Sequence, residues 1–166
     1  VEEYIRASGL AWSMVKPNFF MQNLLASAKS IREQGRFSLP MGGGTTGMAD
    51  ARDIGAVCAE VLTGKGHAGM SYEITGPEVL TFNQVAERFS EVLGRKIEYV
   101  PMPMAQFRER MTGVLKPWHL DAVCALFQEI ADIGLDHTTD TFRKLIGREP
   151  IPLRQFIKDH IALFQA

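Results

Sequence analysis

Five places in this sequence hold residue types that could do chemistry, and the spacing within each decides what that chemistry could be. Gly42 to Gly47, "GGGTTG", satisfies the pattern G-x-G-x-x-G of a dinucleotide-binding turn letter for letter. That function needs a buried strand directly before the glycines and a helix opening inside them, so that the helix N-terminus meets a pyrophosphate. Here a short piece containing Pro40 comes before, and the next helix begins around Ala51. The context predicts a glycine hairpin loop joining two short strands instead. "TGKGHAG", Thr63 to Gly69, lacks the order of glycines and lysine that a phosphate loop requires, and reads as a turn.

Asp50 and Asp53 stand three apart, a spacing open to acid and base work. The same spacing suits an N-cap and a first-turn acid complementing a helix dipole, and that assignment is the simpler one. The four histidines, His67, His119, His137 and His160, have no partner at metal-ligand spacing, so no metal site is expected. His119 beside Trp118, with Asp121 close by, is the most ligand-like and is placed on the substrate side, although a helix start also explains "KPWHLD". No Ser, His and Asp set assembles by spacing and no Y-x-x-x-K occurs, so no catalytic residue is assigned.

The fifth place is "LAWSMVKPNFFMQNLL", residues 10 to 25. An apolar strand runs into Lys16, Pro17, Asn18, Phe19 and Phe20, which sets two aromatics and an amide at a strand end. In open α/β sheets that is where ligands sit.

The chain that must position these residues is ordinary in bulk. Its 166 residues are 46% hydrophobic and 22% charged, enough for one domain with a core. Eighteen Lys and Arg against nineteen Asp and Glu leave a net charge of -1, so no basic field points to nucleic acid or an anionic membrane. No apolar run reaches the roughly 20 residues of a membrane span, and "VEEYIRASG" is no secretory signal, so a cytoplasmic protein is expected. Cys58 and Cys124 lie far apart among apolar residues at helical spacing and read as core thiols.

Element by element, residues 1 to 9 read as the end of a helix, and residues 10 to 15 as a strand apolar on both faces. Helix-forming residues 21 to 34 stop at Gly35, and a short extended "RFSLP" follows. Ile54, Val57, Cys58, Val61 and Leu62 share one helical face behind an Asp50 N-cap, with Gly64 as the stop. "MSYEIT" alternates as a strand, and "GPEVL" is a turn. Thr81 and Gln84 form a capping box for a helix burying Val85, Phe89, Val92 and Leu93. After a short strand "KIEYVPMP" the pattern is helical to the end: Met104 to Leu115, Leu120 to Gly134, Phe142 to Gly147, and one last helix lined by Leu153, Phe156, Ile157, Ile161 and Phe164.

The order "VEEYIRASGLAWSMVKPNFFMQNLL", "MADARDIGAVCAEVL", "GMSYEITGPEVLTFNQVAERFSEVLGRKIEYV" resembles the second half of NmrA-like proteins, atypical short-chain dehydrogenase/reductase relatives, over nearly all of residues 1 to 102 and more weakly beyond. The resemblance implies an α/β fold: the C-terminal part of a doubly wound, Rossmann-like parallel sheet plus a helix-rich substrate-side subdomain, with the N-terminal nucleotide-binding half absent. It divides the chain into core elements at 1–36 and 51–80 and a substrate-side part at 37–50 and 81–166. It implies NADP or NAD as cofactor, with Pro17, Asn18, Phe19 and Phe20 against the nicotinamide end and Asn23 on the substrate side. Lys16 stands where the family commonly has Arg, a better bidentate anion partner.

Two functions follow as expectations. One is a truncated NAD(P)-dependent oxidoreductase or cofactor sensor, acting on or sensing a small molecule, whose missing glycine turn leaves open that this chain alone binds no dinucleotide. The alternative is a non-catalytic interaction module that has lost dinucleotide binding. In either, strands built for a larger sheet leave apolar surface uncovered, which predicts a homo-oligomer.

Overall fold

The computed structural model describes residues 1–165. Helix α1, Glu2–Ala7, leads into strand β1, Ser13–Pro17. Its partner is β4, Met70–Ile74, which runs parallel to it in a register from Ser13 opposite Met70 to Pro17 opposite Ile74. A parallel pair needs a crossover, and the chain between them supplies a long one: a 3₁₀ turn over Met21–Ser27, α2 (Ala28–Gln34), the two-residue strands β2 (Arg36–Phe37) and β3 (Thr45–Thr46), and α3 (Ala51–Thr63). Beyond β4 come β5 (Leu80–Thr81), α4 (Phe82–Leu93), β6 (Glu98–Tyr99), α5 (Met104–Met111), α6 (Pro117–Asp132), α7 (Thr141–Ile146), α8 (Leu153–Asp159) and α9 (Ile161–Phe164).

Packing divides into two clusters. On one face of the β1–β4 pair, Val15, Tyr72 and Ile74 meet Ile54 and Val57 of α3 and Phe142 of α7. The larger cluster gathers the segment after β1 with α2, α4, α6, α8 and α9, around the fully buried Phe37, Phe82, Phe89, Phe156 and Phe164. Edge-to-face contacts such as Phe89 on Phe164, centroids 4.9 Å apart, add specificity to that burial.

The local signals act as their chemistry requires. Thr81 and Gln84 close both halves of the capping box. Gly35 and Gly94 end their helices in the left-handed region, at φ 66° and 65°, where a Cβ is disfavoured. Asp50 caps α3 by accepting the Arg52 amide. Val85 and Phe89 are buried, while Val92 and Leu93 are half-buried at the margin of the core.

Five expectations need correction. The glycine loop joins two short strands but is no hairpin, because β2 pairs parallel with β6 and β3 pairs antiparallel with β5. The "GPEVL" turn therefore also contains the start of a strand. Residues 21–27 form a 3₁₀ rather than an α-helical turn; its threefold period sets Met21 and Leu24 on one side, and both are buried. The last helix breaks at His160, whose ring Nδ1 lies 2.9 Å from the Phe156 carbonyl, and the turn brings Phe164 back onto Phe89. Val114 lies past the end of α5 and is 70% exposed, so it does not share that helix's apolar face.

Candidate functional site

The end of β1 is built as a three-way junction. Past Pro17 the Asn18 amide still donates to the Ile74 carbonyl, at 2.9 Å, before the chain turns away. Residues 47–49 then run between the two strand exits. The Phe19 carbonyl accepts the Ala49 amide and the Met21 amide donates to the Ala49 carbonyl, both at 2.9 Å, while the Gly76 amide donates to the Gly47 carbonyl at 3.1 Å. The approach is so close that a Cβ on Gly76 would stand 1.9 Å from the Met48 carbonyl oxygen.

Against this junction opens a cavity of about 330 Å³, lined by Pro17, Asn18, Phe19, Phe20 and Asn23 on one side and by Leu126, Ile130 and Leu135 on the other. All five residues expected near the strand end thus meet at one wall. They differ in exposure: Phe19 is 5% exposed and packs edge-to-face on Phe82 with centroids 6.0 Å apart, whereas Phe20 is 37% exposed. Trp118 and His119 are elsewhere. They stack on each other at 5.3 Å in the first turn of α6, both exposed, about 12 Å along the helix axis from Leu126 by the rise per residue.

The opposite wall was missed by sequence reasoning. Ile130 sits on the buried face of α6 and reads only as core, and Leu126, 44% exposed, reads as surface. Leu135 is fixed by its amide donating to the Thr45 carbonyl at 2.8 Å. The glycine loop holds this wall in place: a Cβ on Gly44 would fall 2.1 Å from the Ile130 carbonyl oxygen, so the loop backbone lies directly on α6. Of the three consecutive glycines, Gly44 makes this contact, while a Cβ on Gly42 or Gly43 would meet nothing within 4 Å.

Asn18 is held in one orientation. Its Oδ1 accepts the Phe19 amide at 2.6 Å and the buried Thr46 hydroxyl at 2.9 Å. Lys16 points away, to Glu2 at 3.5 Å, and no ionisable side chain lines the cavity.

Behind the wall, Gln22 joins the 3₁₀ turn to α3, its Nε2 donating to Asp50 at 3.1 Å and its Oε1 accepting the Ala51 amide at 3.0 Å. Burial pushes the Asp50 carboxyl up, but hydrogen bonds from the Arg52 side chain and amide and from Gln22 outweigh it and hold the group below its ordinary value. The first amides of α3 are therefore already occupied.

A larger cavity, about 610 Å³, opens between α3 and the start of β1, lined by residues such as Trp12, Cys58, Val61 and His67. It lies at the N-terminal ends of the parallel strands, opposite the end at which such sheets carry ligands. Its polar feature, His67 Nδ1 at 2.7 Å from the Tyr72 hydroxyl, pairs two groups with each other. Among the described residues no three His, Cys, Asp or Glu side chains gather as a metal site, and no helix is long and apolar enough to cross a membrane.

The chain is similar to known proteins over nearly its whole length. The NmrA-like family matches residues 1–156. The NAD(P)H azoreductase of Xenophilus azovorans is 40% identical over 99% of this chain and 58% of its own length. The (4-alkanoyl-5-oxo-2,5-dihydrofuran-3-yl)methyl phosphate reductase of Streptomyces griseus is 29% identical over 98% of this chain, again 58% of its own length. In solved structures, the Escherichia coli NADPH-dependent quinone oxidoreductase complexed with NADPH superposes with a TM-score of 0.84 at 26% identity, covering 96% of this chain and 57% of that one. The chain thus spans less than two thirds of the length of these relatives.

Proposed function

The chain belongs to the NmrA-like family, and from that premise we propose that it carries the nicotinamide-side and substrate-side wall of an NAD(P)H-dependent oxidoreductase, corresponding to the C-terminal part of a Rossmann-like unit. The observation that carries this reading is the convergence of Pro17, Asn18, Phe19, Phe20 and Asn23 on one cavity at the C-terminal end of β1.

The residues present fit one end of a dinucleotide. A half-exposed aromatic, a rigid proline and an oriented amide suit a flat nicotinamide ring. Neither the start of α3 nor the glycine loop offers a place for a pyrophosphate, because Asp50 and Gln22 occupy the first amides of α3 and the Gly44 backbone rests on Ile130. When bound, the cofactor would supply a hydride. The chain's own contribution is to hold and dry the acceptor: Leu126, Ile130 and Phe20 shed water from the ring faces, and Asn18 sets the in-plane orientation.

Calorimetric titration of NADPH, then NADH, into the 166-residue chain tests the reading. Saturable binding supports an oxidoreductase or cofactor sensor; a folded sample that binds neither removes dinucleotide binding from this chain.

A second reading, a non-catalytic interaction module that forms a homo-oligomer, is favoured by a different observation. Among the described residues β1 and β4 each pair only with the other, and Leu10, Leu62 and Met70 are exposed around their N-terminal ends. Unpaired strand edges beside apolar surface favour association. A monodisperse monomer in light scattering would argue against it.

A further inference from the structure

We propose that the cavity at the C-terminal ends of the parallel pair β2–β6 binds a small phosphate monoester, with Arg36 and Arg110 as the two cations that take its phosphate group. This cavity shares no residue with the one at the end of β1, so the inference stands apart from the reading of residues 17–23.

Charge pairing singles out the place. Of the eleven arginines in the chain, eight are ion-paired among the described residues. Arg95 donates instead to the carbonyls of Ile31, Arg32 and Phe164. The remaining two, Arg36 and Arg110, have no acidic partner among the described residues, and both line one cavity of about 270 Å³. No carboxylate lines it. Glu98 stands opposite Arg36 in the strand register, but Lys96 holds its carboxylate.

Three local periods bring the polar groups of the cavity together. On β2 the alternation of side chains turns Phe37 into the core and sets Arg36 and Ser38 on the other side. On α2 Ser30 and Gln34 are four apart, and on α5 so are Gln106 and Arg110, so each helix presents one polar pair on a single face. The Ser38 hydroxyl donates to the Val100 carbonyl and ties the two strand exits together. Arg36 Nε can only donate, so the Gln34 atom it meets at 3.2 Å is the side-chain oxygen, and the Gln34 amine is left as a donor. Among the described residues the terminal nitrogens of Arg36, the Arg110 guanidinium, the Ser30 hydroxyl and the Gln106 amine also have no acceptor in the protein.

Charge and shape decide what these donors select. Two guanidiniums without a carboxylate balance a dianion, whereas a carboxylate ligand would leave one cation uncompensated. A guanidinium fork engages two oxygens at a time, and a phosphate group has oxygens for both forks while a planar carboxylate has them for one. Val100, Pro101 and Met102 form the remaining wall. Pro101 carries no amide hydrogen, and the Met102 amide donates to the Leu39 carbonyl. That wall suits a compact organic group attached to the phosphate and offers nothing to a second phosphate.

Calorimetry on the 166-residue chain tests the proposal, with phenyl phosphate, inorganic phosphate and acetate titrated separately at low ionic strength and about pH 8, where a phosphate monoester is dianionic. The variants are Arg36→Gln and Arg110→Gln, with Arg154→Gln as a control that removes the same charge from a side chain paired with Glu91. Arg36 and Arg110 hold no ion pair among the described residues, so melting temperatures should stay near that of the wild-type chain and report retained folding. Each of the two variants should weaken phenyl phosphate about tenfold or more, the worth of a charged hydrogen bond, and Arg154→Gln by less than about twofold. Arg36→Lys keeps the charge without the fork and should fall between. Tighter binding of phenyl phosphate than of inorganic phosphate supports a monoester; equal binding of the two overturns that assignment in favour of the free anion. Acetate binding as tight as phosphate, equal weakening by all three glutamine variants, or no saturable heat from phenyl phosphate overturns the proposal.

Discussion

The carboxylate of Asp53 receives the Arg148 guanidinium at 2.7 Å and the Ile151 amide at 2.6 Å, joining residues nearly a hundred positions apart. Asp53 is 1% exposed, while Arg148 keeps about half its side chain in water and lies over the Phe142 ring at 4.8 Å. The pair fastens the first turn of α3 to the connection between α7 and α8. One turn end of α3 thus anchors the C-terminal helices through Asp53 and the site segment through Asp50 and Gln22. The "DARD" stretch organises the site without entering it.

Removal of the Asp53 carboxylate leaves two donors unpaired, one of them a backbone amide. Asp53→Ala is expected to cost about 2–3 kcal/mol, and Arg148→Met about 1 kcal/mol or less because its charge is half solvated. Urea denaturation of both variants checks the order; an Arg148 variant as damaged as the Asp53 variant would shift the weight to the guanidinium.

Asp50 gives stability a definite pH dependence. Its folded value lies below the ordinary 3.8, so between the two values the unfolded chain binds more protons. The contribution is complete above about pH 3.8 and fades as pH falls through the folded value. Asp159, held down chiefly by its hydrogen bond from Arg52, works in the same direction. Asp50→Asn should therefore lose stability at pH 6, and the gap to the wild-type chain should narrow below pH 3. Denaturation midpoints measured from pH 2 to 6 would show this convergence; parallel curves would contradict it.

The glycine loop makes a prediction within two adjacent residues. A Cβ on Gly44 meets the Ile130 carbonyl oxygen at 2.1 Å, whereas one on Gly43 meets nothing within 4 Å. Gly44→Ala must push the loop off α6 at an expected cost of about 1–3 kcal/mol, and it displaces one wall of the cavity. Gly43→Ala should be close to neutral. Thermal melts of the two variants separate a packing role for this loop from general flexibility.

What could be read in advance follows from range. Capping boxes, N-caps and glycine stops are decided within four residues, so Thr81 with Gln84, Asp50 and Gly35 were legible. The strand end at Pro17 to Phe20 was legible because an apolar run meets a proline and an amide. The partners of β2 and β3 were not, because two-residue strands carry no periodicity and their pairing is set by tertiary contacts. The far wall was hidden for the same reason. Leu126, Ile130 and Leu135 are brought to this wall by long-range contacts such as those of Gly44 and Thr45, which no local pattern announces. Trp118 and His119 attracted attention by residue type, yet α6 presents its first turn to solvent and its later turns to the cavity.

The two adjacent phenylalanines offer the sharpest separation of fold from site. Phe19 turns into the core, 6.0 Å from Phe82 and 6.2 Å from Phe127, and Phe20 stays at the cavity mouth. Truncation of a buried phenylalanine loses both transfer free energy and contacts across the void, so Phe19→Ala should cost about 3–5 kcal/mol. Phe20→Ala removes a side chain that is 37% exposed and should cost about 1 kcal/mol, while weakening the binding of nicotinamide in the cavity, measured by calorimetry, because a ring face is lost. A Phe20 variant that binds nicotinamide as tightly as the wild-type chain would take Phe20 out of the site wall.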